Sequence, residues 1–305
     1  MKGSLARSAQ GSALLVFILQ SNPNLAMKTL FPLLLFSSLT FATDSIHTEH
    51  DVDYLGSGRK EKADLYLPAN PQPGQKFPAV VIIHGGGWSG GDKRAAREIN
   101  IGTTLALNGY VGMSINYVLA NEDHPGPTWP QNLHDCKTAV RWLRANAERL
   151  NVDPMNIGII GGSAGGHLAT MVGLCGGELD PLGEGDSRVQ CAVDLYGPVL
   201  CFENRDLTMI RKTRAEAPEL YKQADPRSHI DKNDPPLLIL HGTADKTVAV
   251  ADSEALAAAM KAAGATYQLE IIPDAPHTFH LQPKQRDLRP LVLGFFDKHL
   301  KPQAR

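Results

Sequence analysis

The chain has 305 residues, with 30 Lys and Arg against 32 Asp and Glu and a formal charge of −2 at neutral pH. At 43% apolar and 20% charged residues it has globular composition, which excludes disorder, collagen-like repeats and disulfide-stapled miniproteins. So small a net charge supplies no basic excess for nucleic acid, and the length suits one large α/β domain or two small ones.

Two apolar runs open the chain, Ala13–Leu19 and Leu30–Phe36, the second interrupted by Pro32. Both are shorter than the roughly 20 apolar residues that span a bilayer as a helix, so no stable membrane insertion is expected. The second run has the anatomy of a secretory leader. Met27-Lys28 supplies a start and a positive charge, Leu30–Phe36 an apolar core, and Thr40-Phe41-Ala42 the cleavage positions. On this reading residues 1–26 lie upstream of the true start, 27–42 are the signal peptide and 43–305 are one domain. Export would place the four cysteines, Cys136, Cys175, Cys191 and Cys201, in an oxidising compartment with three possible pairings. None has CxxC spacing, which leaves zinc and thiol redox chemistry without support. Cys136 falls on a helical core face, as a buried small hydrophobe would.

After a polar start, Ala63–Leu67 alternates like a half-buried strand and ends at Pro68. Phe77–Ile83 is a continuous β-branched apolar run, the pattern of a strand buried on both faces. A helix is predicted from about Lys93 to Asn108, a strand over Tyr110–Tyr117, and a helix over Gln131–Leu150 with Leu133, Cys136, Val140, Leu143, Ala147 and Leu150 along one stripe. Strands follow at Met155–Ile160, Gln190–Tyr196, Leu237–His241 and Tyr267–Ile272, and helices at Ala164–Cys175, Ala251–Ala263 and Leu288–Leu300. Gly197–Pro236 reads as polar and irregular. This alternation predicts an α/β fold, a mostly parallel sheet with helices on both faces.

The sharpest chemical signal is Gly161-Gly162-Ser163-Ala164-Gly165-Gly166, between a predicted strand and a predicted helix. Gly-x-Ser-x-Gly in that context is a nucleophile elbow: the tight turn demands small neighbours and lifts the Ser163 hydroxyl above the sheet edge. The bland alternative is a glycine-rich helix start that binds an anion. A second cluster, His84-Gly85-Gly86-Gly87-Trp88, follows the buried strand. Gly85–Gly90 fits a dinucleotide fingerprint superficially, but residues 101–117 contain no Asp or Glu to hold a ribose. Glycines whose backbone N–H groups face a developing oxyanion fit better, which nominates Gly85, Gly86 and Ala164 as donors.

A serine needs a base and an orienting acid. Asp245 lies just past the Leu237–His241 strand, and His277 just past the Tyr267–Ile272 strand, at the ends where open α/β sheets carry their sites. The expected triad is Ser163, Asp245 and His277. His280 and Asp274 are rivals for base and acid. His84, His167 and His241 read as structural, and His47, Glu49, His50, Asp51 and Asp53 as a solvated segment, with no metal site.

With these residues in place the sequence resembles the α/β-hydrolase esterases and lipases. The likeness includes His84–Trp88, Asn116–Ala120, Asp135-Cys136, Ala139–Arg144, Asn151–Pro154, Gly161–Gly166, His241–Val248 and His277–Phe279. The motifs are those of the hormone-sensitive-lipase-like enzymes. Between Thr43 and His84, however, there is space for two edge strands and no long helical cap. In this the chain is more similar to the uncapped, secreted acetyl-xylan- and feruloyl-esterase-like group. The family's Tyr-Arg-Leu-Ala-Pro-Glu block is altered to Tyr117-Val118-Leu119-Ala120-Asn121-Glu122. The resemblance implies a cofactor-independent serine ester hydrolase acting through an acyl-enzyme on short-chain acyl esters, among them acetyl or feruloyl groups on polysaccharide fragments. Two other readings stand beside it. One is a prolyl-oligopeptidase-like peptidase, whose catalytic-domain motifs resemble Gly161–Gly166 and His241–Val248. The other is a binding protein on an inactive hydrolase scaffold.

Overall fold

The computed structural model describes residues 46–176, 179–180 and 185–301. The leader read over Met27–Ala42 and the extension before it lie outside the described residues. The central feature is an eight-stranded sheet of β1 (Ile46–Val52), β2 (Ala63–Pro68), β3 (Phe77–Ile83), β4 (Val111–Ile115), β5 (Val152–Gly162), β6 (Cys191–Leu195), β7 (Leu237–Gly242) and β8 (Tyr267–Ile272). Its spatial order is β1-β2-β4-β3-β5-β6-β7-β8. β1 and β2 pair antiparallel, β2 meets β4 antiparallel, and every pair from β4 to β8 is parallel.

Each sheet face has its own core. Alternate residues of β3 divide between them: Ala79, Val81 and Ile83 point to one side, Val80 and Ile82 to the other. The first face is covered by α2 (Gln131–Ala145), α3 (Ala164–Leu174) and α6 (Val250–Ala263), through residues such as Leu133, Leu168 and Leu256. The second is covered by α1 (Ala96–Leu107) and α7 (Arg289–Leu300), through Ile101, Leu105, Val292 and Phe296. Being buried on both sides is why the parallel strands read as unbroken apolar runs.

The connections set the site. From β3 the chain crosses to β4 on one side, then returns past β3 to β5 and continues outward to β8. A reversal of this kind opens a crevice beyond the C-terminal ends of the strands. Register brings those ends level: Ile83 faces Gly161, Gly162 faces Leu195, and Gly242 faces Ile272.

β5 runs from Val152 to Gly162, beyond the Met155–Ile160 expected for it, and three further readings change. The polar start forms edge strand β1, whose acidic residues are ion-paired, Glu49 with Arg149 and Asp51 with Lys93 and Arg94; just past it Asp53 pairs with Lys62. An edge strand half open to solvent needs no apolar run, so composition disguised it. The second helix stops at Ala145, where Asn146 takes the cap and donates from its side chain to the Trp142 carbonyl. Gly197–Pro236 contains α4 (Cys201–Asn204), α5 (Pro218–Ala224) and a 3₁₀ turn (Pro226–Ser228), and it buries Phe202, Leu207, Met209, Ile210 and Tyr221. Cys136, Cys191 and Cys201 are buried free thiols, and Cys175 is buried too.

Candidate active site

Ser163 sits between β5 and α3 with φ 57° and ψ −124°, a backbone conformation that a residue with a Cβ adopts only under constraint. Its N–H is held by the Leu195 carbonyl at 2.9 Å and its carbonyl by the His167 N–H at 3.0 Å. The flanking glycines are required sterically. A Cβ on Gly161 would lie 2.1 Å from the Gly165 carbonyl oxygen, and one on Gly165 would lie 2.2 Å from that of Ile83.

The loops after β7 and β8 meet this turn. His277 Nε2 lies 3.1 Å from Ser163 Oγ, and His277 Nδ1 lies 2.6 Å from Asp245 Oδ2. The Asp245 side chain is 1% exposed and that of His277 13%, so the pair is shielded while one edge of the imidazole stays open. Burial by itself raises the Asp245 carboxyl. The hydrogen bonds from His277 and from the Val248 and Thr247 N–H groups outweigh it and hold the pKa below the usual carboxylate range. An ionised Asp245 fixes Nδ1 as the protonated nitrogen and leaves Nε2 to accept from Ser163.

The cavity beside Ser163 has a volume of about 520 Å³ and is lined by Gly85, Gly86, Gly87, Arg97, Thr247 and His277 among others. Gly86 has φ 113°, and a Cβ there would lie 2.2 Å from the Gly90 carbonyl oxygen. The Gly86 carbonyl is tied back by the Ser89 and Gly90 N–H groups at 3.1 and 3.0 Å, which fixes this loop against the cavity. Ala164 opens α3, so its N–H is among the four that a helix leaves without an internal partner. Gly85 and Gly86 thus border the cavity with main chain rather than side chain, and Ala164 follows Ser163 at the helix start.

The remaining candidates have other partners. The backbone N–H of Gln282 donates to His280 Nδ1, and the backbone N–H of Asp274 donates to the Thr243 hydroxyl; neither joins Ser163. His84 stacks on Tyr117, with ring centroids 4.5 Å apart, and its Nδ1 lies 2.7 Å from the Gly85 carbonyl. His167 accepts from the Trp88 indole and contacts the Ala224 carbonyl. Burial pushes both imidazoles down to about 4. His241 Nδ1 lies 2.7 Å from the Ser253 hydroxyl and its Nε2 3.0 Å from the Val248 carbonyl and 3.3 Å from Asp245 Oδ2, behind the acid rather than at Ser163. No residue of 197–236 lines the described cavity. That segment packs instead on Trp88 and His167, through Phe202. Sequence reasoning passed over Arg97 and Tyr196. Tyr196 follows β6 at the same sheet edge that supplies Ser163, Asp245 and His277, and that position was the available signal.

Comparison with known proteins gives the family. The BD-FAE family model matches residues 63–260, a span that takes in Ser163 and Asp245. The chain belongs to the α/β-hydrolase serine esterases. It is 34% identical to esterase LipQ of Mycobacterium tuberculosis over 76% of this chain and 57% of that one. It is 31% identical to esterase LipC of the same organism over 68% and 55%. The chain thus spans about half the length of the curated relatives it matches. Among solved structures, a truncated carbohydrate esterase from gut microbiota superposes with TM-score 0.74 at 27% identity, covering 85% of this chain and 98% of that one. The butyrate-bound esterase Est2 of Thermogutta terrifontis gives 0.69 at 28%, covering 86% and 96%.

Proposed function

We propose that this esterase-family chain is an exported serine carboxylic-ester hydrolase that cleaves short acyl esters, with acetyl or feruloyl groups on polysaccharide fragments as its substrate class. The observation that carries the reading is the unbroken relay from Asp245 through His277 to Ser163, beside a cavity of about 520 Å³. Ser163 Oγ attacks the ester carbonyl while His277 Nε2 takes its proton. The tetrahedral oxyanion accepts from main-chain N–H groups at Gly85, Gly86 and Ala164. Collapse expels the alcohol, which leaves with the proton from His277, and the acyl group stays on Ser163. Water then enters, activated by the same imidazole, and releases the acid. A backbone hole is set before the charge develops, which is where its catalytic worth lies.

Likeness to a structure described as a carbohydrate esterase supports the sugar-ester class. Ser163→Ala and His277→Ala are each expected to lower kcat on p-nitrophenyl acetate by roughly 10⁴-fold or more; wild-type turnover in either overturns the reading. Turnover across acetyl, butyryl, octanoyl and feruloyl esters and acetylated xylan tests the substrate class. Faster cleavage of aminoacyl-naphthylamides would favour a peptidase. Export predicts a mature N-terminus near Thr43, checked by sequencing the protein recovered outside the cytoplasm.

A further inference from the structure

We propose that Arg97 and Tyr196 are positioning residues for His277, coupling the base's loop to the turn that carries the nucleophile. The inference rests on the reading of His277 as the base. Tyr196 is fully buried at the end of β6. Its ring lies against His277, with centroids 4.8 Å apart, and against Phe279 at 4.6 Å. Its hydroxyl donates to the Phe279 carbonyl at 2.7 Å and accepts from Arg97 Nη1 at 2.9 Å. A phenol has one proton to give, so the two bonds define its orientation.

Arg97, in the first turn of α1, is fixed in turn. Its Nε and Nη2 both donate to Glu98 Oε1, at 2.8 and 2.5 Å. The guanidinium also lies directly on the elbow: a Cβ on Gly162 would sit 2.5 Å from Arg97 Nη1. One planar group therefore touches the residue preceding Ser163 and, through a single hydroxyl, the loop that carries His277.

That loop needs an anchor. Thr278, with φ 65°, separates His277 from Phe279, and Asp274, with φ 57°, precedes the base. Left-handed backbone at non-glycine residues persists only where its surroundings over-determine it. The Tyr196 bond to the Phe279 carbonyl holds the far side of Thr278, as the Asp245 bond to His277 holds the near side. Release of the former lets the backbone relax toward ordinary φ and swings the imidazole away from Ser163 Oγ. A displacement of about 1 Å at a reacting group costs on the order of 10²-fold in rate.

The test compares Tyr196→Phe, Arg97→Met and the double variant on p-nitrophenyl acetate, with melting temperatures recorded for each. Tyr196→Phe keeps the ring and removes only the hydroxyl. The expected result is a fall in kcat of about 10- to 100-fold in each single variant, with KM within about twofold in Tyr196→Phe, whose side chain does not line the cavity. The double variant should fall no further than the worse single one, because both act through one chain of contacts. If Arg97→Met fails to fold, Tyr196→Phe alone decides. Unchanged kcat in folded Tyr196→Phe overturns the proposal, as do losses that multiply in the double variant or, in Tyr196→Phe, appear mainly in KM. Ser163→Ala, run alongside, separates the two levels. Loss there with wild-type turnover in Tyr196→Phe defeats this inference alone, whereas wild-type turnover there defeats the nucleophile reading and this inference with it.

Discussion

Ser163, Gly86 and Thr278 all occupy the left-handed half of φ space, and all three border the same cavity. At Gly86 the constraint is double. The φ of 113° is one an L side chain rarely adopts, and the site of a Cβ is filled by the Gly90 carbonyl. Gly86→Ala is therefore expected to displace the loop and lower kcat on short esters by about 10²-fold or more, the scale of losing one oxyanion donor. Circular dichroism should remain that of the folded protein, since the loop lies outside the sheet. A variant with wild-type kcat would show that this loop takes no part in the reaction. The contrast with Gly109, where nothing stands within 4 Å of a Cβ despite its φ of 78°, marks the difference between a glycine kept for a turn and one kept for a site.

At the scale of elements, β6 carries a cost next to its function. Asp194 is fully buried on the α3 face, with Oδ1 accepting from the Gly197 N–H at 2.8 Å. Burial raises its pKa to about 7, against the lowering effect of that hydrogen bond. The unfolded chain loses the same proton near pH 4. Below pH 4 the group is neutral in both states and its contribution is intact; between about 4 and 7 the unfolded state ionises first, and stability is lost as pH rises. Asp194→Asn, which keeps an acceptor for Gly197, should differ least from wild type near pH 4 and gain melting temperature progressively up to about pH 7. Equal gains at every pH would show that ionisation is not the cause. The elements themselves were largely legible in the sequence. β3 and β8 have the predicted boundaries, because strands bounded by turn residues and rich in β-branched side chains state their period openly. The juxtaposition of Ser163, Asp245 and His277 was legible for a related reason: each follows a readable strand. What was not legible depends on tertiary contact. β1 is polar because it is an edge, the burial of Leu207 and Tyr221 is invisible in a segment of short turns, and Arg97 became relevant only once α1 lay across Gly162.

For the whole molecule, one sheet separates two apolar cores, and each contains a reporter. Cys136 belongs to the core under α2 and α3, and Cys191 to the core under α1 and α7; both are 0% exposed. Burial raises both thiols well above their ordinary range, so the folded protein presents neither sulfur as a reactive thiolate. Modification by an aromatic disulfide must wait for the local structure to open. The two faces can then be timed independently: a molecule that opens as one cooperative unit gives the same labelling rate at Cys136 and Cys191 under native conditions, once each is divided by that thiol's rate in the unfolded chain. Faster labelling at one site, read by peptide mass spectrometry, would instead identify which face loosens first. A pair of residues with no part in the chemistry thus serves as a clock on each side of the sheet.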